Sequence, residues 1–286
     1  MIITQNQNAL DTAISKIRQN DENVKIGLVM TMGALHGGHM TLIAEAKKKC
    51  SHVICSIFVN PAQFNNPNDL ATYPRTLEAD LELLEQNGCD IVFAPDVDTV
   101  YPNGLQPYFI DLEGLDEGME GEFRPGHFKG VCMVVERFFE MTNPDFAYFG
   151  KKDFQQLAIV KKLVHIRKLP VEIIGVPIAR AENGLAKSSR NQLLTAEEKE
   201  AAGLISTALE KGLNFAIDNQ SAAAIEEHIL EQFNDTPFIV EYVAIINNDS
   251  LKPVHVVDSQ STVCIVVYCR SVRLLDNMQF GDTLGV

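Results

Sequence analysis

Two histidines stand in a segment of small residues that can bind an anion. The segment is Thr31–His39, and it places His36 and His39 three positions apart. Small residues let the backbone approach a phosphate closely, and a helix N-terminus offers free N–H groups to an anion. Two imidazoles on one face of a first helical turn can donate to phosphate oxygens as negative charge builds up in a transition state. The segment therefore indicates chemistry on a phosphate.

Three other interpretations of this segment compete with that one. Gly33 and Gly38 have the spacing of a P-loop, but the lysine and hydroxyl residue that a P-loop needs next are absent. The dinucleotide pattern GxGxxG is absent as well. A zinc site on the two histidines has no third ligand nearby in sequence and no HExxH pattern. A glycine-rich turn with two exposed histidines and no chemistry stays open on the spacing alone.

Two later segments combine cations with small or hydroxyl residues. Phe149–Gln156 has two adjacent lysines after a glycine. Gly184–Asn191 places Lys187 and Arg190 around two serines, as a mobile phosphate clamp requires. Taken alone, the first could be a solvated turn with Asp153 as a helix N-cap, and the second an ordinary interdomain loop. Three such segments in one acidic chain together favour a phosphate ligand.

Alternating apolar and amphipathic runs must position these segments. The predicted strands are residues 25–30, 52–59, 90–94, 145–149 and 171–176, and the predicted helices are residues 38–49, 76–86, 130–141 and 154–167. This alternation predicts βαβ units with right-handed crossovers and a parallel sheet. Ligands of such sheets bind at the carboxyl ends of the strands. The expected positions of the chemistry follow Met30, Val59, Phe149 and Val176.

The pattern changes after about Ala179. Helices are predicted over residues 195–217 and 221–233, and strands of an antiparallel set over residues 238–246, 262–270 and 272–275. We therefore predict an α/β fold with two domains. Residues 1–178 form a Rossmann-like parallel sheet with flanking helices, and residues 179–286 form a smaller α+β C-terminal domain.

Composition excludes several classes of protein. The chain has 286 residues and a net charge of −14, which disfavours nucleic acid as a partner. No apolar run approaches the roughly 18 residues of a membrane span, and the N-terminus lacks the layout of a signal peptide. The six cysteines include no CxxC pair, so we expect buried free thiols and a cytoplasmic location.

The pairing of an HxGH turn with a downstream Lys-Ser-Ser-Arg loop resembles the HIGH and KMSKS signatures of the nucleotidyl-transferase superfamily, whose members attack the α-phosphate of ATP. More specifically, the chain resembles the pantothenate synthetase (pantoate–β-alanine ligase) family. Six segments occur in that family's order: residues 31–39, 56–64, 73–76, 123–128, 149–156 and 185–191. They cover nearly the whole chain, although the last third matches by length and texture more than by motif.

The resemblance implies a set of site residues. The ATP-binding set is Met32, Gly33, Ala34, Leu35, His36, Gly37, Gly38, His39, Gly150, Lys151, Lys152, Asp153, Ala179, Lys187, Ser188, Ser189 and Arg190. The catalytic set is His36, His39, Lys152, Ser188, Ser189 and Arg190. Within these, His39 is the proton donor that the family usually assigns, and Asp153 binds the ribose. Gln63 and Gln156 bind the small substrates, chiefly pantoate, and Asp80 falls near a magnesium ion.

The chain departs from the family's usual pattern at five positions. Met30 replaces a proline, Gly37 an acidic or small residue, Lys151 and Ala181 each a frequent glutamate, and Lys187 an apolar residue. None of these departures removes a histidine, glutamine or lysine that the chemistry requires. They bear on rates and affinities more than on the reaction.

The resemblance implies ATP-dependent ligation of pantoate and β-alanine to pantothenate through a pantoyl-adenylate, with release of pyrophosphate and AMP. It also implies Mg²⁺ beside ATP, a homodimer, an ATP- and pantoate-binding first domain and a C-terminal lid. Three alternatives stay open. They are an adenylyltransferase that leaves AMP on its product, a short tRNA-charging relative, which the acidity disfavours, and a nucleotide-binding sensor with an inactive site.

Overall fold

The computed structural model describes residues 1–20 and 23–281. The chain divides into two compact units. The first consists of Met1–Lys151 and Gln155–Pro177, and the second of Lys152–Phe154 and the chain from Ile178 onward. The sequence predicts the boundary after residue 178, without the short Lys152–Phe154 segment that belongs to the second unit. The functions predicted for the two domains stay predictions.

The first unit is built on a parallel sheet. Its strands are β1 (Ile2–Thr4), β2 (Ile26–Thr31), β3 (His52–Ile57), β4 (Ile91–Phe93), β5 (Phe146–Gly150) and β6 (Glu172–Val176). Its helices are α1 (Gln7–Asn20), α2 (Gly37–Lys49), α3 (Pro67–Thr72), α4 (Leu77–Gln86), α5 (Val97–Val100), α6 (Met119–Phe123), α7 (His127–Thr142) and α8 (Phe154–Arg167), with a 3-10 helix at Pro61–Gln63. The six strands lie in the order β1-β4-β3-β2-β5-β6 and pair in parallel throughout.

This strand order places a topological switch point between β2 and β5. The sheet grows from β2 through β3 to one edge, and from β5 to the other. In such sheets the crevice at the carboxyl ends of the two central strands is the usual ligand site. Ile26, Leu28 and Val29 are fully buried, as expected for a strand covered by helices on both faces. The turns that follow β2 and β5 are the first and second anion-binding segments predicted from the sequence.

The second unit has helices on an antiparallel sheet. Its helices are α9 (Ala196–Ala201), α10 (Leu204–Phe215) and α11 (Ala222–Glu231), with a 3-10 helix at Ser189–Leu193. Its strands are β7 (Phe238–Asn247), β8 (Ser261–Cys269) and β9 (Val272–Gln279), in the order β7-β8-β9. The central strand β8 is buried along nearly its whole length. A core formed by α10, α11 and this sheet holds the unit together.

The predicted fold class is confirmed, but one predicted helix is wrong and several short or polar elements were not predicted. Neither β1 nor the helices α1, α3, α5 and α6 are predicted from the sequence. A three-residue edge strand and helices of four to six residues give little periodic signal, whereas α1 buries Leu10, Ala13 and Ile14 at helical spacing, a signal that the sequence analysis missed. The single helix predicted over residues 195–217 is wrong, because α9 ends at Ala201 and α10 begins at Leu204. At Gly203 the carbonyl oxygen of Asn183 lies 2.5 Å from where a Cβ would stand, so a side chain does not fit at this break.

Candidate active site

A buried carboxylate shapes the turn after β2. Gly33 and Ala34 have positive φ angles of 81° and 50°, so the backbone makes a left-handed turn there. The N–H of Ala34 donates to Asp80 Oδ2 at 2.9 Å, and the N–H of Leu35 donates to Asp80 Oδ1 at 2.7 Å. Thr76 Oγ1 donates to the same Oδ1 at 3.2 Å. Asp80 is only 2% exposed, and its buried carboxylate holds the backbone of the turn in place.

The two histidines form the N-terminal cap of α2. His36 is the N-cap residue, and its Nδ1 accepts from the N–H of Gly38 at 3.0 Å. His39 Nδ1 accepts in return from the N–H of His36 at 3.3 Å. An Nδ1 that accepts cannot carry the proton of a neutral ring, so each neutral imidazole carries it on Nε2. The ring centroids lie 4.2 Å apart, and the cap therefore fixes two imidazoles side by side with Nε2 as the donor.

Gln63 lies close to the first turn. Its side chain is 8% exposed, and its Nε2 donates to the sulfur of Met32 at 3.1 Å. Its Oε1 accepts from Asn60 Nδ2 at 3.1 Å. Asn60 Oδ1 also accepts from the hydroxyl of Tyr101 at 2.8 Å and caps the short helix Pro61–Gln63. A neutral amide is thus held beside the anion-binding turn in a buried setting, as recognition of a small polar ligand needs.

Helix α7 holds the same 3-10 helix from the other side. A Cβ at Gly130 would lie 2.1 Å from the carbonyl oxygen of Ala62, so only glycine lets the two segments approach this closely. His127 Nδ1 lies 2.8 Å from the carbonyl oxygen of Gln63 and must be the donor, because a carbonyl can only accept. Its Nε2 is then the acceptor for Arg124 Nη1 at 3.4 Å. The segment 123–128, one of the six that match the family's order, thus fixes the backbone of Gln63 through His127.

The two neighbouring glutamines at the start of α8 differ in their contacts. Gln155 is buried, and its Oε1 accepts from the N–H of Glu120 at 3.0 Å. Its Nε2 donates to the carbonyl oxygens of Leu115 and Gly118 at 3.0 and 3.3 Å. Gln156 is half-buried, and no residue in the described part of the chain hydrogen-bonds to its side chain. Gln155 is therefore structural, whereas the amide of Gln156 is available to a ligand.

The turn after β5 is divided between the two units. In the first unit, the N–H of Lys151 donates to the carbonyl oxygen of Val176 at 2.8 Å and extends the pairing of β5, which ends at Gly150. In the second unit, Lys152 Nζ lies 3.8 Å from Asp153 Oδ1. The Lys152 side chain is 17% exposed and that of Asp153 is 51% exposed. The cation is thus the more enclosed of the two charges.

In the second unit, the loop Lys187–Arg190 directly follows a tight hairpin. Arg180 and Ala186 form an antiparallel bridge, and the N–H of Lys187 donates to the carbonyl oxygen of Ala179 at 2.8 Å. Ser188 then caps the 3-10 helix by accepting from the N–H of Arg190 at 3.3 Å. These hydrogen bonds therefore fix the point at which the loop Lys187–Arg190 begins and the direction in which it starts.

Sequence reasoning missed the residues that support this loop. The guanidinium of Arg180 donates to both oxygens of Asp276, at 2.6 and 3.0 Å, and also to the carbonyl oxygen of Gly184 at 3.0 Å. Burial raises the pKa of the Asp276 carboxyl, although the Arg180 guanidinium and the N–H of Asn277 favour its charged form. The sequence did contain a signal for Asp276. From Val272 to Asp276, every second residue of β9 is buried, and Asp276 occupies one of these core-facing positions.

Thiol chemistry and a built metal centre find no support. Burial raises the pKa of Cys89 to about 11 and that of Cys132 to about 12, so these thiols are poor nucleophiles. No group of three or more metal-ligating side chains occurs in residues 1–20 and 23–281. Both oxygens of Asp80 already accept from the turn, so its predicted proximity to magnesium rests on the resemblance alone. No helix within the same ranges is long and apolar enough to cross a bilayer.

Comparisons with known proteins agree on one family. The sequence model described as "Pantoate-beta-alanine ligase" matches residues 2–279. A pantothenate synthetase of Clostridium botulinum (strain Kyoto / Type A2) is 44% identical over 262 residues, covering 91% of this chain and 93% of the relative. One of Bacteroides thetaiotaomicron is 45% identical over 261 residues, covering 90% and 92%.

Solved structures give the same result. The crystal structure of pantothenate synthetase from Thermus thermophilus matches with a TM-score of 0.90 and 35% identity, covering 98% of this chain and 99% of that one. A pantoate-beta-alanine ligase from Francisella tularensis, whose crystals contained "Beta-gamma ATP and Beta-alanine", matches with a TM-score of 0.78 and 34% identity, covering 98% of both chains.

These matches span almost the whole chain at well over 30% identity. They confirm the resemblance, the fold class and the class of enzyme predicted from the sequence. The roles of individual residues stay predictions. The chain therefore belongs to the pantoate–β-alanine ligase family.

Proposed function

We propose that this protein joins pantoate to β-alanine at the cost of ATP, in the biosynthesis of pantothenate, and that His36 and His39 act on the phosphates. The observation that carries the proposal is the reciprocal cap at the start of α2, in which both Nδ1 atoms accept backbone N–H groups. Each neutral ring is thereby left with a donor at Nε2. Preorganised donors of this kind stabilise charge that develops in a transition state without having to reorient.

The reaction proceeds in two displacements. A carboxylate oxygen of pantoate attacks the α-phosphorus of ATP, the bond from that phosphorus to the bridging oxygen breaks, and pyrophosphate leaves. The amine of β-alanine then attacks the acyl carbon of pantoyl-adenylate. AMP departs with the oxygen that pantoate had contributed, and the amine loses a proton. The first step makes the acyl carbon electrophilic, because AMP is a much better leaving group than oxide.

The protein's part is to position substrates and to stabilise charge. Among the residues at the phosphates, His39 is the proton donor. His36, Lys152, Ser188, Ser189 and Arg190 complete the proposed catalytic set. The remaining ATP contacts are proposed for Met32, Gly33, Ala34, Leu35, Gly37, Gly38, Gly150, Lys151, Asp153, Ala179 and Lys187. For the residues of the first unit, support comes from the position of the two turns at the switch point of its sheet. The assignments in the second unit rest on the resemblance to the family.

Gln63 and Gln156 are proposed to bind pantoate. A small hydroxy acid needs amide donors and acceptors, and both side chains are neutral amides of the first unit. Gln63 is supported by its fixed backbone and buried setting, and Gln156 by the contrast with the fully engaged Gln155. Binding of ATP and β-alanine is supported by the complex of the Francisella relative.

Four further assignments rest on the resemblance to the family, and a fifth, the location, rests on composition. Mg²⁺ enters as part of the substrate MgATP, whose triphosphate charge it neutralises. Asp80 is kept as a candidate neighbour of that ion. The second domain acts as a lid over the phosphates, and two copies of the chain form a homodimer. The protein works in the cytoplasm.

A reconstitution with purified protein tests the proposed function. MgATP, pantoate and β-alanine are supplied together and then with each one omitted, and AMP, pyrophosphate and pantothenate are quantified. We expect the three products in equal amounts, and no steady formation of AMP without β-alanine. Pantoate-independent hydrolysis of ATP, or ATP binding without any turnover, would contradict the proposal. Formation of an AMP conjugate as the final product would favour the adenylyltransferase alternative.

A further inference from the structure

The end of strand β9 connects two separate segments of the second unit that the proposed function assigns to the phosphates. Asp276 and Asn277 are adjacent on this strand, and both are buried, with exposures of 2% and 5%. Asp276 receives two hydrogen bonds from the guanidinium of Arg180, at 2.6 and 3.0 Å. Such a bidentate pair fixes orientation as well as distance.

The first connection leads to the clamp loop, Lys187–Arg190. Arg180 stands at the base of the hairpin from which this loop departs and is bridged to Ala186. The guanidinium also donates to the carbonyl oxygen of Gly184 at 3.0 Å, which ties it to the hairpin tip. The Asp276–Arg180 pair therefore sets where the hairpin lies on the sheet, and so the point from which the clamp loop starts.

The second connection leads to the lysine turn. Asn277 Nδ2 donates to the carbonyl oxygen of Lys152 at 2.8 Å. The N–H of Asn277 donates to Asp276 Oδ1 at 2.8 Å, so the same carboxylate also orients Asn277. Lys152 thus has its backbone anchored to β9, although 125 positions separate it from Asn277 in the chain.

A small cavity shows how closely these parts pack. It has a volume of about 10 Å³, and its walls include Lys152, Ser188, Asn191 and Asp276. This is about the space of a single water molecule. Asn191 Oδ1 is buried and has no hydrogen-bond partner among the described residues. The lysine turn, the clamp loop and the end of β9 therefore line one cavity.

We propose that Asp276 is a positioning residue for ATP, which holds the clamp loop through Arg180 and Lys152 through Asn277. The inference rests on the proposed function in one respect, because it takes Lys152 and the clamp loop to bind the phosphates. Asp276 itself touches no substrate. A single buried carboxylate keeps the two cationic segments of the second unit at a constant separation, so that they meet the triphosphate as one preformed surface.

A second, partly buried ion pair on the same sheet supplies a control. Arg273, also on β9, donates to Glu241 Oε2 through Nε at 2.9 Å, and the two side chains are 13% and 14% exposed. Glu241 Oε1 also accepts from the hydroxyl of Tyr268 at 3.0 Å, so this pair links the three strands of the sheet. Glu241→Gln therefore weakens an arginine–carboxylate pair on the same strand, with a carboxylate side chain 14% exposed against 1% for that of Asp276, and changes no residue of the proposed anchor.

The test measures ATP binding by titration calorimetry in the whole protein, together with KM for ATP and for pantoate. The variants are Asp276→Asn, Arg180→Lys, Asn277→Ala and the control Glu241→Gln. We expect the first three to weaken ATP binding at least tenfold and to leave KM for pantoate within twofold, because Gln63 and Gln156 belong to the first unit. Arg180→Lys keeps the charge but loses the bidentate geometry. The control should bind ATP within twofold of the parent.

A combined variant separates positioning from a general loss of structure. In a Lys152→Ala/Arg190→Ala background, Asp276→Asn should weaken ATP binding less than twofold further, because the groups that it positions are gone. An unchanged ATP affinity in Asp276→Asn, or an equal loss in Glu241→Gln, overturns the inference. If Asp276→Asn does not fold, Arg180→Lys and Asn277→Ala carry the same test.

Binding and turnover also distinguish this inference from the proposed function. A parent protein that binds ATP without making pantothenate refutes the proposed function only, and the variants still report on the anchor. A parent protein that makes pantothenate while all three anchor variants bind ATP normally refutes the inference only. A parent protein that does not bind ATP refutes both.

Discussion

Replacing Asp80 by asparagine tests whether a buried carboxylate shapes the histidine turn. Asparagine has nearly the same size, but it keeps one acceptor oxygen and puts an NH₂ donor where the other oxygen was. That donor faces the N–H of either Ala34 or Leu35, which now donate at 2.9 and 2.7 Å. One charge-assisted hydrogen bond is lost and one buried N–H is left without an acceptor.

The size of the effect follows from those two losses. A hydrogen bond to a charged group contributes about 1.5–3 kcal/mol, and an unsatisfied buried donor costs about 1–3 kcal/mol. The two losses are largely the same free energy, so they are not added in full. We therefore expect a loss of about 3 kcal/mol in the free energy of unfolding. For a domain of this size that corresponds to a Tm lower by roughly 6–12 °C. Because the turn carries His36, kcat should fall by about 100-fold, as a displacement near 1 Å can cause.

Thermal unfolding and steady-state kinetics of Asp80→Asn check both expectations. Glu82→Gln is the matched control, since Glu82 is exposed on the same helix α4 and its replacement removes the same charge. The control should keep the parent's Tm within 1 °C and its activity within twofold. A Tm for Asp80→Asn within 1 °C of the parent refutes the reasoning. A loss of activity at unchanged Tm would instead favour a direct role for Asp80 at magnesium.

Three further predictions concern the chemistry. His39→Ala should lower kcat by about 100- to 1,000-fold, the usual cost of removing a preorganised donor. The lost cap contact should lower the free energy of unfolding by only about 1 kcal/mol. Activity equal to that of the parent would contradict the assignment of His39 as proton donor. Gln156→Ala should raise KM for pantoate at unchanged Tm. Gln155→Ala should lower Tm, because it removes three hydrogen bonds to the backbone; the reverse outcome would exchange their roles. With a pKa of about 11, Cys89 is about one part in a thousand thiolate at pH 8, so iodoacetamide should label it only slowly, faster as the pH rises; rapid labelling of the folded protein at pH 7 would contradict its burial.

Local pattern was enough to predict much of the fold and the first turn. Buried parallel strands are continuous apolar runs, and the predicted strand at residues 25–30 differs from β2 by one residue at each end. The helix predicted over residues 154–167 coincides with α8. The histidine pair was visible because its geometry depends on a spacing of three within one helical turn. The tautomers of the two histidines could not be predicted, because they depend on which backbone N–H groups donate to each ring.

Contacts between distant parts of the chain could not be predicted in the same way. Asp80 lies 45 positions from Leu35, and nothing in its helix shows that its carboxylate turns inward to a loop. Asn60 precedes a proline, which is a helix-start signal, but its bond to Tyr101 requires the folded sheet. A glycine inside an apolar helix, such as Gly130 in α7, is a signal of close approach that the sequence analysis did not use, and it does not say which segment approaches.

The destination of one oxygen atom tests the central claim most directly. Pantoate labelled with ¹⁸O in its carboxylate is converted with MgATP and β-alanine, and the products are analysed by mass spectrometry. If pantoate attacks the α-phosphorus, one ¹⁸O appears in AMP and none in pyrophosphate. Recovery of the label in orthophosphate together with ADP would mean attack at the γ-phosphorus and an acyl phosphate. Unlabelled AMP would mean that no pantoyl-adenylate forms, and either result would contradict the account.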